Sequence, residues 1–174
     1  MTETRSLQVT TPSDLEVTLT RDFHAPRPLV FDALTQPELL RQWLGIHGTW
    51  KWVVCEVDLR IGGKYRYVWR NAKGREMAMG GTFLEIVAPE RIVNTELFDD
   101  PWYQGEGHAT AVLTERNGWT TLSSTVRAVS REARDTILRS GMDTGVAAAY
   151  DTLERVLAGR AAAEPVRQPP ADPS

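Results

Sequence analysis

Asp58-Leu59-Arg60-Ile61-Gly62-Gly63-Lys64-Tyr65-Arg66-Tyr67-Val68-Trp69-Arg70 is the stretch whose reading decides the fold. Tyr65, Tyr67 and Trp69 recur at every second position, the period at which strand side chains reach one face. Lys64, Arg66 and Arg70 fall on the other face, with Val68 among them. One face of this strand is aromatic and the other largely cationic. Three large rings in a row, two with a polar tip, suit the wall of a core or of a ligand pocket. Asp58 and Arg60 flank the turn into Gly62-Gly63 and read as a structural charge pair at a tight turn or bulge. Those glycines are not a phosphate loop, because no helix start or lysine–hydroxyl pair follows them.

Outward from this strand, the order of elements is readable. Leu15, Val17 and Leu19 alternate with polar residues over 15–23, a strand. Ala25-Pro26-Arg27-Pro28 opens a short helix carrying Leu29, Val30, Ala33 and Leu34, since proline is tolerated in a first turn. Thr35-Gln36-Pro37-Glu38 has the form of a capping box and predicts a second short helix through Leu39, Leu40 and Trp43. Further strands are expected over 50–57, 64–70, 76–87, 91–98, 108–115 and 119–126. Asn71-Ala72-Lys73-Gly74, Ala88-Pro89-Glu90 and Asn117-Gly118 supply the turns between them.

The spacing then predicts one long amphipathic helix over 130–157. Ser130 suits its N-cap, and Ile137, Leu138, Met142, Val146, Ala149, Leu153 and Val156 mark its apolar face. Gly141, Gly145 and Ala149 form a line of small residues. This line lets the helix lie close to another element, or breaks the helix near Gly141, or leaves empty volume beneath it. The layout is α+β.

The 174 residues, 41% hydrophobic, suit one domain with a sizeable core. We expect it over 14–159, with a flexible N-terminus over 1–13 and a disordered proline-rich tail over 160–174. A net charge of -3 points away from nucleic acid, and no apolar run suggests membrane insertion. The polar N-terminus does not look like a signal peptide, and the single Cys55 fits a reducing compartment, so the expected location is cytoplasmic.

Four stretches resemble the START-like (SRPBCC) superfamily, in the branch named after the activator of the heat-shock-protein-90 ATPase. They are Phe23-His24-Ala25-Pro26 with 29–34 through Pro37-Glu38 to Trp43, then Val57-Asp58-Leu59-Arg60-Ile61-Gly62-Gly63, then 81–87 with 89–93, and 140–145 through Tyr150 to Leu153. The resemblance implies a helix-grip fold, a curved antiparallel sheet wrapped around the long C-terminal helix, with a cavity between them. It also implies binding of lipids, hormones or polyketides, or polyketide cyclisation. Chaperone activators of that branch carry a further N-terminal domain, for which this length leaves no room.

On this fold Tyr65, Tyr67 and Trp69 should face the helix, and Met77, Met79, Gly81 and Phe83 should share a face on the next strand. Trp43 would close one end of the cavity or serve plain packing. The expected ligand-binding set is Trp43, Tyr65, Tyr67, Trp69, Met79, Phe83, His108 and Met142. His108 is the one imidazole placed to point inward as core group, ligand anchor or acid/base. No catalytic residue is nominated. His24, His47, His108 and Cys55 lack metal-ligand spacing, no nucleophile elbow is present, and no metal or cofactor is expected. Trp102 and Tyr103 lie in a turn-rich segment and read as a lid, a seal on the core edge or a homodimer contact. The leading reading is binding of an apolar or aromatic small molecule. The alternatives are a cyclase or hydrolase using the same cavity, and a co-chaperone-like interaction domain.

Overall fold

In the computed structural model, which describes residues 6–163, each alternating segment becomes a strand. In β2 (Glu16–Phe23), Val17, Leu19, Arg21 and Phe23 are buried and their neighbours are not. Two short helices follow, α1 (Arg27–Thr35) and α2 (Pro37–Trp43), each with proline in its first turn. The capping box does not form. Thr35 is the last residue of α1, and its hydroxyl donates to the Phe31 carbonyl at 2.9 Å. Gln36 caps α2 without a side-chain hydrogen bond.

Then come β3 (Lys51–Val57), β4 (Lys64–Arg70), β5 (Glu76–Val87), β6 (Arg91–Phe98), β7 (Gly107–Arg116) and β8 (Trp119–Arg127). Residues 58–63 form the turn into β4, where Arg60 Nε donates to Asp58 Oδ2 at 2.9 Å, an exposed pair of small energetic weight.

The N-terminal boundary shifts from the expected one. Residues 8–10 form β1 (Gln8–Thr10), which pairs antiparallel with β2, Val9 opposite Leu19. Its three side chains are exposed, so hydrophobic patterning carries no trace of it; backbone hydrogen bonding holds it. The eight strands form one curved antiparallel sheet in the order β1-β2-β8-β7-β6-β5-β4-β3.

The last helical stretch is two helices, broken near Gly141 as one of the three readings of its small residues had it. α3 (Arg131–Arg139) starts at Ser130, whose hydroxyl accepts from the Ala133 N–H at 3.1 Å. Gly141, at φ +76, then turns the chain, and α4 (Met142–Ala163) begins. Ser140 Oγ accepts from the Met142 N–H at 3.2 Å and supports the new start. A left-handed φ strains any side-chain-bearing residue, so glycine sets the break. Among the described residues α4 reaches Ala163, with Ala161, Ala162 and Ala163 continuing the helix beyond 159. The proline-rich stretch beyond lies outside the described residues.

α4 crosses the concave face of the sheet and packs against α2 and α1. Its inward side chains are Tyr150, Leu153 and Leu157. They join Phe23, Val30, Leu40, Leu113 and Leu122 in the main core. A second cluster of Val17, Tyr103, Ala128, Ala133 and Ile137 lies under α3. Arg21 ties the helix to the sheet from within: Nη1 donates to Asp151 at 2.7 Å and Nη2 to Glu154 at 3.0 Å.

Candidate functional site

The aromatic row of β4 points into the protein, with Tyr65, Tyr67 and Trp69 exposed by 6%, 9% and 2%. Register with β5 sets Tyr65 opposite Gly81, Tyr67 opposite Met79 and Trp69 opposite Met77. The ring centroids of Tyr65 and Phe83 are 5.6 Å apart, and those of Tyr65 and Tyr67 5.0 Å. Gly81 lies so close to the next strand that a Cβ there would overlap the Thr95 carbonyl and press on the Tyr65 ring. Trp69 Nε1 donates to the Leu44 carbonyl at 3.2 Å, and Trp43 Nε1 donates to the Ala33 carbonyl at 2.9 Å. Both indoles are thereby held in one orientation.

These rings surround a cavity of about 290 Å³. Trp43, Tyr65, Tyr67, Trp69, Met79 and Phe83, six of the eight expected ligand-binding residues, line it. Leu34, Leu40, Leu44 and Tyr150 form its helical side, and Ala109, Ala111 and Ser124 form its floor. The roof comes chiefly from α1, α2 and the link after α2, with α4 contributing Tyr150.

His108 and Met142 do not belong to it. His108 is exposed, because the alternation of β7 turns Ala109 and Ala111 inward and His108 away. Met142 packs on the second cluster, because the turn at Gly141 re-aims the start of α4. Gly145 is exposed and a Cβ there would meet nothing, so the small-residue line is not a close-packing device. His24 stacks on Trp119 at 4.8 Å, away from the cavity.

Polar groups that the sequence reading passed over stand at one end. Ile92, Asn94 and Glu96 face inward from β6. The alternation gave no signal for them: Leu97 is 46% exposed while its neighbour Glu96 turns inward, the reverse of the order that polarity predicts. The Tyr103 hydroxyl donates to Glu96 Oε1 at 2.9 Å. Tyr103 is buried and Trp102 half-exposed beside it, so this segment seals the core edge. Tyr65 OH donates to the Thr95 carbonyl at 2.7 Å and accepts from Asn94 Nδ2 at 3.1 Å. Burial pushes the Glu96 carboxyl above its ordinary range and holds the Tyr65 and Tyr67 phenols well above theirs.

The family model described as Activator of Hsp90 ATPase homolog 1-like protein matches residues 24–158. The chain belongs to this family. Among solved structures of the same fold, a protein of Rhodobacter sphaeroides is 32% identical, with 88% of this chain and 99% of that one covered and a TM-score of 0.84. A Nitrosomonas europaea protein is 24% identical over 87% of this chain and 99% of its own, with a TM-score of 0.75. An AHSA1-like protein of Aeromonas hydrophila is 19% identical over 87% and 99%, with a TM-score of 0.65. The last two show the fold alone. No curated protein matches the chain. The Hsp90-activator-like fold is generally that of ligand-binding domains, and this member has no described helix long and apolar enough to cross a membrane.

Proposed function

We propose that this protein binds an apolar or aromatic small molecule, lipid-like or polyketide-like, in the cavity between sheet and helices. The observation that carries this reading is the cavity's lining. Four aromatic side chains, Tyr65, Tyr67, Trp69 and Phe83, stand on adjacent strands around an unfilled volume of about 290 Å³. The wall is largely apolar and partly open to solvent, so an apolar ligand would remove that surface from water. The volume is near the lower end for small-molecule sites and favours a compact ligand. The buried thiol of Cys55 supports a cytoplasmic setting for the same reading.

Thermal-shift measurements and native mass spectrometry against lipids and aromatic polyketides test it. Ligands of this class should raise the melting temperature and travel with the protein as a one-to-one complex. A complete screen with neither effect refutes the reading.

One observation favours catalysis as a second reading: Glu96 is a carboxyl in the cavity wall with its proton affinity raised by burial. As general acid or base of a cyclase or hydrolase, it would make Glu96→Gln lose turnover while keeping ligand binding.

A further inference from the structure

Around Glu96 and Asn94 the cavity wall has spent its donors and kept its acceptors; elsewhere in the lining the Tyr67 hydroxyl has no hydrogen-bond partner among the described residues. Asn94 Nδ2 has two hydrogens, and it donates to Tyr65 OH and to the Thr95 carbonyl, both at 3.1 Å. The Tyr65 proton goes to the same carbonyl at 2.7 Å, and the Tyr103 proton goes to Glu96 Oε1 at 2.9 Å. This network also fixes the amide's orientation, since a flipped Asn94 would set its oxygen against the Thr95 oxygen. Among the described residues, Glu96 Oε2 and Asn94 Oδ1 receive no hydrogen bond, and neither is sealed from solvent. No described Lys, Arg or His is within ion-pair distance of Glu96.

A half-buried carboxylate without a counter-charge is costly, and a cation supplied by a ligand removes that cost. The neighbouring rings add favourable faces for a cation, and the rest of the wall is largely apolar, with Thr110, Ser124 and Thr125 its other polar members. We propose that the ligand is a compact apolar molecule ending in a protonated amine, whose N–H groups meet Glu96 Oε2 and Asn94 Oδ1. The apolar body lies along Tyr67, Trp69, Met79 and Phe83. This inference rests on the reading that the cavity takes a small molecule, and it names the head group of that molecule.

The test is calorimetric titration of the full chain at neutral pH with three probes of one shape: phenylpropylamine, phenylpropanol and phenylpropanoate. The amine should bind at least about tenfold more tightly than the alcohol, with the carboxylate weakest. In Glu96→Gln the amine should lose this advantage over the alcohol, and a cooperative thermal melt of the variant shows that it is folded. Equal binding of amine and alcohol, a preference that survives Glu96→Gln, or tightest binding by the carboxylate overturns the amine head. If none of the three binds while lipids or polyketides do, the head group is wrong and the cavity reading stands. If nothing binds at all, both fall.

Discussion

Glu96 is where one side chain has the widest consequences. Its carboxyl is held above the ordinary range by burial, so the folded protein binds this proton more tightly than the unfolded chain does. Stability is then complete in acid, where both states are protonated. It falls as pH rises from the ordinary carboxyl value to the raised one, because only the unfolded state releases its proton freely there. Glu96→Gln keeps an oxygen to accept from Tyr103 and carries no charge. In the ligand-free protein the variant should melt above the wild type at neutral pH. The difference should vanish near pH ~4. Thermal melts at both pH values check this, and a variant that is less stable at neutral pH contradicts it. At Gly81 the constraint is steric. A methyl there collides with the Thr95 carbonyl, a backbone atom that cannot step aside. Gly81→Ala should lose about 3 kcal/mol in urea unfolding, whereas the same change at the open Gly145 should be neutral or mildly stabilising.

Among the elements, β4 was the most legible and the last helix the least. The strand Lys64–Arg70 follows from a period-two pattern with large rings on one side, which a half-buried strand requires. The helical spacing of Ile137 and Leu153 is equally real, yet it runs through Gly141 as though that glycine were helical. Its positive φ divides α3 from α4 and turns Met142 toward a different cluster. Periodicity records which residues are apolar, not whether the axis stays straight between them. Arg21 sits where the alternation of β2 calls for an apolar residue, and only the position of α4 accounts for it. It is 3% exposed and holds Asp151 and Glu154, which remain partly in water. Arg21→Ala should therefore cost about 2 kcal/mol, below the cost of stranding a fully buried charge. Hydrogen exchange should quicken in the middle of α4 and leave β7 and β8 unchanged. Exchange that is unaltered in α4 would show that the helix is docked by its apolar face alone.

For the whole molecule, the cavity is a product of assembly. Ala109 and Ala111 reach it from β7, Ser124 from β8 and Tyr150 from α4, elements far in sequence from Trp43 on α2 and the rings of β4. Ala109→Phe should fill part of it. The variant should weaken binding of any cavity ligand at least about tenfold while its melting temperature stays within ~2 °C, since the ring enters space already empty. Loss of stability without loss of binding would place the ligand elsewhere. The strand periods, the turns, the two proline-led helices and the family were determined by the sequence itself. They depend on local sterics and on side-chain alternation, which act between residues near in the chain. The tertiary structure alone decided the rest. It paired the exposed strand Gln8–Thr10, turned His108 outward, moved Met142 off the site and brought Glu96, Asn94, Tyr65 and Tyr103 to one end of the cavity. Those outcomes depend on register across the sheet and on how far helices and strands stand apart, which no local pattern encodes.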